Sequence, residues 1–138
     1  FKTKISNEYK RILLKNEHVD QILCLLSSSI CYWIWINCSD CYHVTKSDIC
    51  MTPVPKSILN NDTLKKLSSN LLNDLEKHKI IKLINRGGER REESQYNLSK
   101  SKDLIDQIDL ELAKHFDLSE EEIYFMINYD SQNRIMKN

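Results

Sequence analysis

Glycine and proline are nearly absent from this 138-residue chain, with two of each. So few turn-forming residues exclude collagen-like and low-complexity readings, and a 41% hydrophobic content excludes a globally disordered chain. With a single Gly-Gly pair, at Gly87-Gly88, there is no glycine-rich phosphate or dinucleotide loop. A Gly-x-Ser-x-Gly elbow and a His-Glu-x-x-His pair are missing too. The longest nearly apolar run, Ile22 to Ile36, covers 15 residues with three serines inside. It is short of the roughly 18 to 20 that a bilayer span requires, so we expect no membrane partner and a cytoplasmic protein. Phe1-Lys2-Thr3-Lys4 opens with neither an initiator Met nor an apolar leader core, and the expectation is a piece of a longer polypeptide.

Formal charge is zero overall, with 20 basic against 20 acidic residues, but it is unevenly placed. Residues 1–20 carry +2, 21–55 carry −1, 56–92 carry +4 and 93–138 carry −5. The basic stretch runs through Lys77, Lys79, Lys82, Arg86, Arg90 and Arg91. Gathered on one surface, these charges attract a polyanion; spread over a hairpin or helix face, they only keep it solvated.

The length suits one domain, or a subdomain of something larger, with an α+β and predominantly helical fold. Small hairpin elements are expected to pack on a buried apolar helix and two C-terminal helices. Phe1–Ile5 and Tyr9–Leu14 read as a first hairpin around a Ser-Asn turn. His18–Ile36 reads as one helix, apolar nearly all round and therefore buried, whose serines at 27–29 let another element approach. Thr45-Lys46-Ser47-Asp48 suits a turn or a brief helical start, and Met51–Pro55 must be extended because proline restricts itself and its predecessor. Asn61 or Asp62 caps a helix ending near Lys77, with apolar positions 64, 67, 71, 72 and 75 forming one stripe. Lys79–Ile84 and Ser94–Leu98 are strand candidates joined by a loop over 85–91. A helix follows over Ser101–Lys114, then another from Ser119, which forms a capping-box pattern with Glu122.

No self-contained active site emerges. His18, His43, His78 and His115 are far apart and suit surface or cap positions. Asp106 and Asp109 are assigned to the solvated face of their helix. The five cysteines, Cys24, Cys31, Cys38, Cys41 and Cys50, fall within 27 consecutive residues, an odd number that fits reduced thiols better than a disulfide framework. Cys38, Cys41, His43 and Cys50 have weakly zinc-like spacing, whereas Cys24, Cys31 and Cys38 repeat every seven residues like small hydrophobes on a buried seam. Trp33 and Trp35 suit core packing, while Tyr42, beyond the apolar run, suits stacking on a base.

Two stretches carry a family resemblance. The first is Leu25-Leu26-Ser27-Ser28-Ser29-Ile30-Cys31-Tyr32-Trp33-Ile34-Trp35, continuing to Ser39-Asp40-Cys41-Tyr42-His43-Val44-Thr45-Lys46-Ser47-Asp48-Ile49 and ending at Pro53-Val54-Pro55. The second is Ser99-Lys100-Ser101-Lys102 with Ile105-Asp106 and Ile108-Asp109, then Leu112-Ala113-Lys114-His115-Phe116, Glu120-Glu121 and Asn128-Tyr129-Asp130. In order and spacing they resemble the C-terminal, target-recognition part of type II (IIS/IIG-like) restriction-modification enzymes built on an adenine-specific DNA methyltransferase. Ser27 stands where that family commonly has Asn, and Cys41 where it commonly has Gly, a position at which cysteine is sterically strained if φ is positive.

The resemblance implies a bacterial defence protein whose partners are double-stranded DNA and an upstream methyltransferase domain of the same chain. S-adenosylmethionine, and Mg²⁺ if a nuclease is fused, belong to that parent enzyme. The family's Asn-Pro-Pro-Tyr segment, its cofactor glycine loop and a nuclease motif are all absent here, so this region itself is assigned no catalytic, cofactor or metal residue. It would hold the duplex while the core flips out an adenine. From charge and loop position, not from the family motif, the candidate DNA contacts are Tyr42, His43, Lys46, Lys82, Arg86, Arg90 and Arg91. Asp40, His43 and Asp48 do match the motif, and Asp40 and Asp48 equally suit local backbone bonding. The competing expectation is a scaffold module of the same enzyme that never touches DNA; the arginines of 86–91 and Lys46 gathered on one exposed face favour DNA, scattered positions the scaffold.

Overall fold

A computed structural model describes residues 11–86 and 88–129, with the backbone alone at 86, 89 and 91. The fold is α+β and predominantly helical, with six α-helices and a two-stranded antiparallel sheet among the described residues. The expected N-terminal hairpin lies largely outside the described residues. Of its second strand, positions 11–14 are described and take no regular structure.

The apolar segment forms two helices where one is expected: α1 (Val19–Ser27) and α2 (Ser29–Cys38) meet at 63°. Ser28 makes the break. Its ψ of 158° is extended, its Oγ accepts from the Cys31 amide, capping α2, and its hydroxyl donates to the Leu25 carbonyl at 2.6 Å. The next amide, Ser29 N–H, donates to Oδ1 of Asp109 at 2.7 Å, 80 residues away in sequence. Asp109 is therefore not on a solvated face. It is fully buried on the same side of its helix as Ile105, Ile108 and Leu112, and it anchors the bend through this hydrogen bond. Asp106, half-buried, pairs with Lys102 on the preceding turn.

Thr45 opens α3 (Lys46–Met51) through a reciprocal capping box: its hydroxyl accepts from the Asp48 amide and the Asp48 carboxylate accepts from the Thr45 amide. After the extended 53–55 stretch and a 3₁₀ turn over Lys56–Asn60, α4 (Asp62–Lys77) begins on the expected Asn61 cap, whose Oδ1 accepts from the Leu64 amide at 2.9 Å. Leu64, Leu67 and Leu71 form its buried stripe, while Leu72 is exposed. Helix α5 (Lys102–Ala113) follows a 3₁₀ turn over Leu98–Ser101. It ends where Asp117 adopts φ 52° and the Leu118 amide returns to the Ala113 carbonyl, a left-handed stop that aspartate tolerates. The predicted Ser119/Glu122 box opens α6 (Glu120–Asn128).

Helix α1 packs against α4 and α5, and α2 against α6, which centres the core on Leu25, Ile30, Leu64, Leu71, Ile108 and Leu112. Buried polar groups are tied across this core: Ser68 Oγ donates to Asp20 and Ser101 Oγ to Asp74.

Between α4 and α5 the chain leaves the core as a hairpin, β1 (Ile80–Arg86) and β2 (Glu89–Gln95), paired in register from Ile80↔Gln95 to Arg86↔Glu89. The expected loop over 85–91 is mostly strand. The pairing runs as far as Arg86↔Glu89, and Gly88 between the strands has a positive φ, 84°, which glycine adopts without steric cost.

Candidate nucleic-acid interface

The hairpin is tied to the helical body at its base. Glu76, at the end of α4, accepts from Lys79 Nζ at 2.9 Å and from the Tyr96 hydroxyl at 2.8 Å, contacts that hold its carboxyl below the usual range. Beyond this base the ribbon projects: Ile81 is 59% and Leu83 73% exposed.

Strand alternation sorts the predicted basic residues onto two faces. Positions 80, 82, 84 and 86 share a face with their partners 95, 93, 91 and 89, so Lys82 is set across from Glu93, and Arg86 from Glu89, by the backbone pairing. Ile84 and Glu93 on this face are half-buried. The opposite face carries Ile81, Leu83 and Asn85 across from Ser94, Glu92 and Arg90, and all six are exposed. Adjacent positions 90 and 91 therefore belong to opposite faces of the backbone pairing. The ribbon brings Lys82, Arg86, Arg90 and Arg91 into one element but not onto one face, and Lys46 opens α3 apart from it, the scattered arrangement that the scaffold alternative expects.

Tyr42, His43 and Lys46 form a separate group at the end of α2. Tyr42 is 81% exposed and meets the His43 ring edge-on at 4.4 Å between centroids; Lys46 is exposed at the start of α3. Two motif residues shape this loop. Asp40 Oδ1 accepts from the Tyr42 amide, and Asp48, its carboxyl held low first by the Thr45 amide and then by the Thr45 hydroxyl, closes the α3 capping box. Between them Cys41 sits at φ 57°, a left-handed conformation rare for cysteine, with its thiol directed to the Ile36 carbonyl at 3.2 Å.

The cysteines do not gather. Cys38, Cys41 and Cys50 are exposed free thiols, so the seam expected through Cys24, Cys31 and Cys38 stops before its last member. Among the described residues no three His, Cys, Asp or Glu side chains form a metal-binding group. Burial, reinforced by Asp20, pushes the Cys24 thiol up to about 12, and burial also raises that of Cys31 against an opposing hydrogen bond from Thr52. Both are poor thiolates.

One cluster that sequence reading missed resembles a nucleophile, base and acid. His115 Nδ1 lies 2.9 Å from Ser57 Oγ, and its Nε2 lies 3.9 Å from Glu111. The hydrogen bonding argues against nucleophilic chemistry. Asn61 must present Oδ1 to the Leu64 amide, so its Nδ2 donates both to Glu111 at 2.9 Å and to His115 Nε2 at 2.8 Å. The imidazole then carries its proton on Nδ1 and donates to Ser57, leaving no base to take the serine proton. Lys114 first, then Asn61, hold the Glu111 carboxyl below the usual range, which makes the cluster a reinforced helix cap joining the Lys56–Asn60 turn, α4 and α5.

Helices α2, α3, α5 and α6, with the end of α1 and the Leu98–Ser101 turn, border an apolar groove of about 510 Å³. Tyr32 and Trp35, ring centroids 6.0 Å apart, line it with Ile49, Leu98 and Ile127. Trp33 packs on the core as expected, whereas Trp35 lines this groove. Against protein-family models, curated proteins and solved structures, the chain finds no match in any of the three comparisons.

Proposed function

We propose that this chain is the DNA target-recognition part of a type II restriction-modification enzyme of the N6-adenine methyltransferase family, gripping the duplex for a catalytic core elsewhere in the polypeptide. The observation that carries this reading is the projecting ribbon: its cations are divided between two faces, the arrangement that favours the scaffold, but it gathers four of them (Lys82, Arg86, Arg90 and Arg91) against three carboxylates (Glu89, Glu92 and Glu93) over 80–95. A DNA major groove, about 12 Å wide, admits a two-stranded ribbon, and Lys and Arg on phosphates supply affinity by releasing counterions. The family resemblance adds the restriction-modification context. It is supported by the left-handed backbone at Cys41, where the family commonly has glycine. Methyl transfer, with S-adenosylmethionine, and cleavage, with Mg²⁺ if a nuclease is fused, belong to the parent enzyme in this reading.

The apolar groove favours a complementary role. Helix α2 is apolar around its circumference yet only half-buried from Cys31 to Ile36, which suits packing against another domain of the same enzyme. Ribbon on DNA and groove on protein are compatible.

The test is equilibrium binding of the intact polypeptide that carries these residues to duplex DNA across a salt series. A variant with Arg86, Arg90 and Arg91 changed to Ala is expected to bind more weakly and to lower the salt slope by roughly 2 to 3. Unchanged affinity and slope would remove the ribbon from the DNA contact and leave the scaffold role.

A further inference from the structure

The outward ribbon face carries a specific set of side chains. Asn85 and Arg90 are direct cross-strand partners one pair from the end of the ladder at Arg86↔Glu89, and both are exposed. Directly opposite residues in an antiparallel pair have Cβ atoms about 5 Å apart, so the two side chains leave the ribbon side by side. These are the residue types with bidentate fits to base edges, asparagine to adenine N6 and N7 and arginine to guanine O6 and N7. Among the described residues no partner holds either side chain. Behind them on the same face come Leu83 across from Glu92, then Ile81 across from Ser94, all exposed. An apolar group suits a thymine methyl, a carboxylate accepts from cytosine N4, and a serine hydroxyl suits several edges. The opposite face differs: Ile84 and Glu93 are half-buried there, and Lys82 has Glu93 as its cross-strand neighbour.

Resting on the DNA-binding reading above, we infer that the Asn85/Arg90 pair is the base-reading element of the ribbon, taking an adenine and a guanine at neighbouring positions of the major groove. From residue 81 to 85 the strand advances about 13 Å, the rise of roughly four base pairs, so the face reads a subsite of that size. The ribbon over 80–95 has four cations against three carboxylates, a small net positive charge that favours a polyanion as its occupant. The negative Glu92 then acts as a filter, repelling phosphate unless it meets a cytosine amino group.

The experiment is sequence selection from a randomised duplex pool by the intact polypeptide and its Asn85→Ala, Arg90→Ala and Arg90→Lys variants, with salt-dependent affinity for bulk DNA measured alongside. Asn85→Ala is expected to lose roughly tenfold discrimination at one A·T pair and to leave the salt slope unchanged. Arg90→Ala is expected to lose a similar factor at one G·C pair close to it. Arg90→Lys keeps the charge and hence the slope, yet still relaxes that G·C position. If the wild type binds DNA with a normal salt slope but the variants keep its selected motif, or weaken every sequence equally, this inference is overturned while DNA binding stands. If the wild type shows no salt-dependent duplex binding, the underlying reading fails and takes this one with it. Variants that disturb only the association between domains of the polypeptide would identify the face as a protein contact and also overturn it.

Discussion

The helical body and the ribbon divide the molecule's work. In the body, apolar side chains from α1, α2, α4, α5 and α6 meet in one core, and the buried serines and Asp109 have partners that cross between helices. In the ribbon, Ile81 and Leu83 face outward, and the cross-strand neighbours are mostly charged or polar. A two-stranded ribbon alone is marginal in water. Its order derives from strand pairing, a glycine turn and the Glu76 anchor at its base, while its side chains stay available for a partner. The lesson is that stability and recognition are separable here, and single substitutions should separate them.

The largest expected contrast is between equivalent truncations in the two regions. Ile108→Ala or Leu64→Ala, each at a fully buried position, should cost about 2–5 kcal/mol in chemical denaturation. Leu83→Ala should change stability by no more than ~0.5 kcal/mol. Equal losses at the two kinds of site would mean that the ribbon is part of the core after all.

Next comes the bend between α1 and α2. Asp109→Ala leaves the buried Ser29 amide without its carboxylate and should cost about 2–3 kcal/mol. The loss should appear in the body alone, as faster amide exchange around Cys31 and Ile105 with ribbon exchange unaltered.

Asn61→Ala should cost about 1–2 kcal/mol, more than Thr45→Ala at the exposed α3 cap, because Asn61 caps α4 and also bonds Glu111 and His115. Thermal unfolding of the two variants ranks them; a larger loss at Thr45 would contradict the part assigned to the Asn61 cluster.

A smaller, graded effect is expected with pH. Glu111, Glu122 and Asp48 are held below their ordinary range, Glu111 first by Lys114 and the other two first by the backbone amides of Ser119 and Thr45. A lowered folded-state pKa contributes stability that is fully present above the unfolded value, about 4 for these groups, and is lost as pH falls through the folded values. Stability should therefore drop below about pH 4, and Glu111→Gln should flatten part of that drop.

Much of the body was legible in the chain. The stripe at 64, 67 and 71 with Asn61 before it, and Ser119 with Glu122 before Ile123, each combine a period with a cap, and two agreeing local signals mark a helix well. The break at Ser28 was not legible, because apolar periodicity continues through the serines and the group that fixes the bend is supplied by Asp109 from a distant helix. Asp109 itself was misplaced, although it follows Ile105 by four residues and so shares its face. Strand ends in the hairpin were missed for a different reason: Arg90, Arg91, Glu92 and Glu93 look like loop, yet a solvent-exposed ribbon can pair its backbone whatever its polarity. As to the candidate interface, counting cations found Arg90 but passed over uncharged Asn85, whose position is defined only by the register.

The most direct test removes the ribbon. Ile80 and Gln95 are cross-strand partners, so their backbones lie about 5 Å apart and a two-residue Gly-Ser linker can join Lys79 to Tyr96 in place of residues 80–95. Thermal unfolding and duplex-DNA affinity would be measured on that one variant of the intact polypeptide. The account predicts a body that melts within a few degrees of the parent and a loss of salt-dependent DNA binding. A body that no longer folds, or binding that survives without the ribbon, would contradict it.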